Sequence, residues 1–192
     1  EYCDWYIEAS KVRLGDGSPG EAQATRQVLA YVLERSLRLL HPFMPFVTEE
    51  LWSKLGERAH YPLITAKWPE PGAAVDTAAK AEVEWLIALI GNLRTAKNEL
   101  GIAPGARLDA YLPDPSVATR GIIERNGGAI DRLARLNGIR FDAAPQGAAM
   151  QIGAGDANIV VPLEGVIDIA AEKARLAKAL EAAAKEAKAL EG

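Results

Sequence analysis

Apolar residues recur along this chain in two rhythms, one stepping by three and four residues and one by two, and the rhythm changes midway. Trp5, Tyr6, Ile7, Val12 and Leu14 mark the end of a helix over residues 1–14. Gly15-Asp16-Gly17-Ser18-Pro19-Gly20 then reads as a loop. Val28, Leu29, Val32, Leu33, Leu37 and Leu40 form an apolar stripe that predicts an amphipathic helix over 21–40. The stretch His41 to Trp52 follows, with Pro42 and Pro45 three residues apart. Pro45 suits the first turn of a new helix, because its φ is already helical and its missing N–H is not needed there. Thr48, Glu49 and Glu50 are expected in that first turn, with the carboxylates against the positive end of the helix dipole. Phe43, Phe46, Leu51, Trp52 and Leu55 supply a large apolar surface, so the expectation is a sharp helix–helix corner buried in a bundle.

Residues 57–78 hold Tyr61-Pro62, Trp68-Pro69, Pro71-Gly72 and Asp76-Thr77, which disfavour helix, and read as an ordered crossing segment. Helix returns over 79–100, with Val83, Leu86, Ile87, Ile90 and Leu93 on one face and Gly101 and Pro104-Gly105 as stops. The period then becomes two: Leu108, Ala110 and Leu112 alternate with Arg107, Asp109 and Tyr111. A helix over 115–136 is followed by strands at 138–141, 148–152 and 158–163, the last two joined by Gly153-Ala154-Gly155-Asp156. From Ile169, apolar residues at 176, 180, 183, 187 and 190 keep the rhythm of a coiled-coil seam. The pattern predicts a mainly α chain carrying a small α/β module of α-β-α-β-β-β order. The domains are read as 1–78, 79–166 and 167–192.

Composition narrows the classes. Apolar content of 49% and charged content of 25% are those of an ordinary globular protein. No apolar run approaches the roughly 20 residues of a membrane helix, so no membrane partner is expected. The single cysteine, Cys3, permits no internal disulfide and fits a reducing, cytoplasmic setting. The chain opens on Glu1 with a helical stripe already running and closes within another, so it is expected to be a piece of a longer protein. Net charge is −4, against the basic surplus of most phosphate binders. Residues 94–140 nevertheless carry eight Lys/Arg and five Asp/Glu, so any nucleic acid is expected at this middle third.

The words His-Pro-Phe-Met-Pro-Phe-Val-Thr-Glu-Glu-Leu-Trp at 41–52 resemble the corner of the anticodon-binding domains of class I aminoacyl-tRNA synthetases for valine, isoleucine and leucine. Asp4-Trp5-Tyr6-Ile7-Glu8 with Lys11 is similar to the helix that precedes this corner in the valyl family. Val161 to Asp168, followed by Glu172, Arg175 and Leu176, is similar to that family's join between its small C-terminal α/β module and a coiled-coil arm. The isoleucyl family often ends in a cysteine-ligated metal module, which one cysteine cannot supply, and leucyl enzymes lack the arm. The resemblance therefore favours valine. It implies a helical-bundle anticodon-binding domain, the α/β module and the root of the arm. Its partner would be a valine-specific tRNA gripped by the anticodon stem and loop. A parent enzyme would use ATP and Mg to join valine to that tRNA, with no cofactor held by the present chain.

No catalytic constellation appears in the residues themselves. His41 is expected to be packed or capping, and His60 solvated. Two histidines and one cysteine, widely separated, do not make a metal site. The class I signatures His-x-Gly-His and Lys-Met-Ser-Lys-Ser are absent from this sequence. Candidate recognition chemistry lies at Arg94, Lys97 and Asn98, which share a helix surface by their spacing of three and four. A guanidinium can stack on an unpaired base and an amide can read its edge. Lys11 and Arg13 are second candidates, for the stem backbone. Arg125 and Arg132 share a face of the module's helix and suggest a phosphate stripe, while Trp52, Trp68 and Trp85 are expected in the core. The expected exposure of Tyr2, Trp5 and Tyr6 on a cut helix predicts self-association through that end. Acidic balance and the coiled-coil tail also suit a different class, a helical protein–protein interaction module without RNA.

Overall fold

Ser18 begins the longest helix of the first 76 residues, inside the stretch that reads as a loop. Its Oγ accepts from the Glu21 N–H at 3.3 Å while the Glu21 carboxylate accepts from the Ser18 N–H at 2.9 Å, closing a capping box with Pro19 at the first helical position. The computed structural model describes residues 2–58, 60–72 and 74–190; the side chains of Tyr2, Ile169, Ala179, Ala182 and 184–190 lie outside that description. The chain divides into two compact units, Glu1–Asp76 and Thr77–Gly192.

The first unit contains a π-helical turn, Tyr2–Tyr6, running into α1 (Ile7–Gly15), then α2 (Pro19–Leu40) and α3 (Pro45–Lys54), with a 3-10 turn at Leu63–Thr65. Trp5, Tyr6, Ile7, Val12 and Leu14 are only half-buried; Ser10 is the fully buried residue of α1. Pro45 does open α3, but the carboxylates miss its first turn. Glu49 reaches away and accepts the Leu63 N–H at 2.8 Å, tying α3 to the 3-10 turn. Thr48, 1% exposed, donates to the Met44 carbonyl at 2.7 Å. Its oxygen then accepts from His41 Nδ1, 2.8 Å away, so His41 joins α2 to α3 as a capping histidine.

Leu37, Trp52 and Leu63 form the unit's small core, with Leu55 and Ala66 packed against it. Trp52 is fully buried and donates its indole N–H to the Tyr61 carbonyl at 2.8 Å. The guanidinium of Arg58 lies 4.1 Å from its ring centroid. The bend around it is not buried, contrary to the sequence expectation. Phe43 is 82% and Phe46 91% exposed, and Met44, Val47 and Leu51 are exposed as well. A helix buries one stripe, and here the stripe is Thr48, Trp52 and Leu55 at steps of four and three, which leaves Phe46 on the far side and Val47 and Leu51 on the flank.

The second unit contains α4 (Thr77–Glu99), β1 (Leu108–Tyr111), α5 (Val117–Ala134), β2 (Leu136–Arg140), β3 (Ala149–Ala154), β4 (Ala157–Pro162) and α6 (Ile169–Leu190). The strands make one mixed sheet in the order β2-β1-β4-β3. β1 and β2 pair in parallel through the α5 crossover, and β4 pairs antiparallel with β1 and β3. Helices α4 and α5 pack on each other, α4 against β3 and α5 against β2. Alternation buries Leu108, Ala110, Met150, Ile152, Ile159 and Val161 on one face. Gly155 turns the β3–β4 hairpin at φ 58°, a left-handed conformation glycine adopts freely. The Trp85 ring sits so close that a Cβ there would meet it at 3.1 Å. Trp85 in turn donates to the Ala154 carbonyl at 2.9 Å and Asn92 to the Gly153 carbonyl at 2.8 Å, so α4 grips the hairpin end by its backbone.

Candidate functional site

The last two turns of α4 carry three of the sequence candidates, and the structure gives each a different task. Leu89, Ile90 and Leu93 turn inward, which fixes the rotation of the helix and leaves Arg94 and Asn98 exposed. Arg94 donates from Nε to the Leu133 carbonyl at 2.9 Å, so its guanidinium is held beside the C-terminal end of α5. Lys97 departs from the shared exposed surface expected of it. It is 4% exposed and donates from Nζ to the Ala106 carbonyl at 2.5 Å, stapling the loop after α4. Burial, and then the charge of Arg135, hold its pKa below the ordinary lysine value.

These residues surround a cavity of about 320 Å³. Ile102, Pro104 and Leu133 supply apolar wall, and Arg94, Lys97, Asn98 and Arg135 supply the polar lining. Arg135 is not among the candidates for base reading; the sequence pattern places it only within the helix expected over 115–136. It sits at the C-cap of α5 in a left-handed conformation, φ 55°, and its N–H donates to the Asp131 carbonyl. A helix that ends directly before a strand without glycine was the available signal: Leu133-Ala134-Arg135-Leu136 leaves Arg135 to take the turn. Arg107 is close by, donating to the Leu136 carbonyl at 2.7 Å.

The remaining candidates do not gather into one place. Lys11 is exposed on α1 and paired with Glu8; Arg13 is exposed one turn-half further on, where its charge acts on Glu21. The phosphate stripe on α5 is broken, because Arg125 forks onto Glu82, with its Nη2 at 2.6 Å, and Asn126 donates to the same carboxylate. Arg120 lies over the Phe141 ring, 4.2 Å from the centroid. Of the tryptophans, Trp52 is core and Trp85 half-buried, but Trp68, at 60% exposure, is not in the core expected of it. It stands between Lys67 and Pro69 in a segment without helix or strand, where no alternation or stripe turns it inward. Among the described residues no cluster of His, Cys, Asp or Glu could hold a metal ion, and no helix is long and apolar enough to cross a membrane.

Residues 1–112 match the anticodon-binding domain of tRNA ligase. The chain is also similar along its length to valine–tRNA ligases. The one from Sphingopyxis alaskensis is 47% identical over 222 aligned positions, which take in 100% of this chain and 24% of that protein. The one from Rhizorhabdus wittichii is 49% identical over 96% of this chain and 21% of its own length, and the one from Zymomonas mobilis 44% identical over 100% and 22%. The chain thus spans about a quarter of the length of the relatives it matches. The cation-lined cavity draws on both sides of the matched boundary, with Arg94, Lys97 and Asn98 inside it and Leu133 and Arg135 beyond. From the match over more than half its length, this chain belongs to the anticodon-binding domain family of the tRNA ligases.

Proposed function

We propose that this chain is the tRNA-gripping part of a valine–tRNA ligase, holding the anticodon stem and loop while residues outside it join valine to the tRNA with ATP and Mg. The observation that carries the reading is the convergence of Arg94, Lys97, Asn98 and Arg135 on one cavity, in a chain of this family. Arg94 and Asn98, both exposed, face an unpaired base, where a guanidinium stacks and an amide reads an edge. Lys97 acts from beneath by shaping the loop that follows. Lys11 and Arg13 supply positive charge to the stem backbone, which carries no sequence information. The setting is cytoplasmic.

The helix α6 is the root of a coiled-coil arm in this reading. Leu176 and Leu180, one seam step apart, are exposed as an unpaired seam would be. Arg175 donates to the Glu99 carbonyl at 3.0 Å, and so fixes the start of the arm to the end of α4. Self-association through the first helix belongs to the same reading, but Trp5 and Tyr6 are half-buried rather than exposed as expected, and the side chain of Tyr2 lies outside the described residues; sedimentation velocity over a range of concentrations measures it.

A gel shift with valine tRNA at low and moderate salt tests the main reading. Binding that falls steeply as salt rises, and that exceeds binding of a tRNA with a swapped anticodon, is expected. Equal or absent binding of both RNAs would sink it and favour a protein-binding module. No valine-dependent ATP–pyrophosphate exchange is expected from the chain alone, and measurable exchange would place catalytic groups within it.

A further inference from the structure

We propose that the cavity between the end of α4 and the end of α5 is a phosphate site, and that in the RNA complex it takes one backbone phosphodiester. The assignment to RNA rests on the tRNA reading above; the phosphate chemistry of the cavity does not. Two cations of the lining, Lys97 and Arg135, act on each other across it, and the charge of Arg135 adds to burial in holding the Lys97 pKa down. Like charges around a partly enclosed, apolar-walled space repel one another. An entering anion relieves that repulsion, and a neutral nucleobase does not.

The hydrogen-bonding demand points the same way. Lys97 offers three N–H donors, and among the described residues the Ala106 carbonyl takes one of them. The Arg94 and Arg135 guanidiniums are donors only, so Asn98 holds the one side-chain acceptor of the lining. The amino group of an adenine or cytosine would find few acceptors here. Phosphate oxygens accept and do not donate, which matches the set. Arg135 also occupies a left-handed helix end where glycine is the usual residue, so a cation is kept at a backbone position that disfavours it. The phosphate is therefore assigned to buried Lys97 and to Arg135 on the α5 side of the cavity, and the base to Arg94 and Asn98 on the α4 side.

Inorganic phosphate is the first probe, titrated against chloride at matched ionic strength and followed by amide NMR shifts. Saturable shifts at Asn98, Ile102 and Arg135 are expected, with a rise in melting temperature. Arg135→Asn removes the cation yet keeps a residue that tolerates the left-handed turn. It should weaken phosphate binding about tenfold, the scale of one charge-assisted hydrogen bond. Lys97→Met should do the same, and its melting curve shows whether the loop survives. Absence of saturable shifts in the native chain, or unchanged affinity in Arg135→Asn, overturns the proposal. The second arm is tRNA with matched and swapped anticodons. Arg135→Asn should weaken both by the same factor and lower the salt slope. Loss confined to the matched anticodon would overturn the phosphodiester assignment in favour of a base pocket. No tRNA binding by any form, with phosphate shifts intact, would overturn the tRNA reading and the phosphodiester assignment together, whereas tRNA binding without phosphate shifts would overturn the phosphate site alone.

Discussion

The corner at 41–52 and the cavity at 94–135 handle their conspicuous residues in opposite ways. The corner is written in twelve consecutive residues, yet it sends Phe43 and Phe46 into solvent and keeps only Thr48, Trp52 and Leu55 inside. The cavity is assembled from α4, the loop after it and the end of α5, and it draws a lysine almost completely out of water. In the corner, charge is matched locally: Arg38 and Arg58 both face Glu34, and both lie over the Trp52 ring. In the cavity, cations gather without a carboxylate in the lining. The stretch that identifies the family is thus a packing device, and the cavity, whose charged lining residues are all of one sign, is the better candidate for meeting a ligand. Neutralised pairs add little long-range field, while a cluster of one sign keeps it.

The largest effect expected from this contrast is on stability. Trp52→Ala should destabilise the first unit by roughly 3–5 kcal/mol, since it deletes the centre of a small core and orphans the Tyr61 carbonyl. Amide exchange in urea should report that loss in residues 1–76 while β4 stays protected. A uniform loss across the chain would show that the two units unfold together and that the comparison is misdrawn.

Next in size are the RNA contacts. Arg94→Ala should weaken tRNA binding by roughly 1–3 kcal/mol, the range of a base-stacking contact, and should narrow the preference for the matched anticodon. Arg125→Ala should cost less, because its guanidinium is exposed and already forked onto Glu82. Paired titrations of both variants decide it: equal loss for both RNAs would make Arg94 a backbone contact.

Ser18→Ala should cost about 1 kcal/mol by opening the capping box of α2, measured as a shift in urea midpoint. Hydrogen bonds from Ser18 hold the Glu21 carboxyl below its ordinary pKa. A depressed carboxyl pKa stabilises the fold at neutral pH, and that share fades as pH falls through the ordinary glutamate range and then below it. In Ser18→Ala this acid-side fading should shrink; a pH profile identical to the native one would mean the cap is not formed.

The smallest effect is the sharpest check on the corner. Phe46→Ala, at 91% exposure, should change stability by less than about 0.5 kcal/mol despite the size of the side chain. A loss near that of Trp52→Ala would restore the buried corner that the sequence suggests.

Much of the second unit could be read from period alone. The order of helix and strand, the alternation in 108–112 and the hairpin near Gly155 all agree with local pattern, because strands and helices bury different spacings. Errors fell where two local signals competed. Gly17-Ser18-Pro19-Gly20 looks like a loop by composition, but Ser18 and Glu21 three residues apart make a cap, and Pro19 fits the first helical position. Glu49 looks like a dipole partner by position, but a free backbone N–H at Leu63 claimed it.

Sequence by itself determined the family, the succession of elements and the candidates on one turn of α4, because each depends on neighbours in the chain. Tertiary structure decided the strand order β2-β1-β4-β3, which face of the corner is dry, and the separate fates of Arg94 and Lys97. It also decided that Arg135, 41 positions after Arg94 in the numbering, joins them. A spacing of three puts two side chains on the same side of a helix, but whether that side meets water or a neighbouring loop depends on what the rest of the chain packs against it.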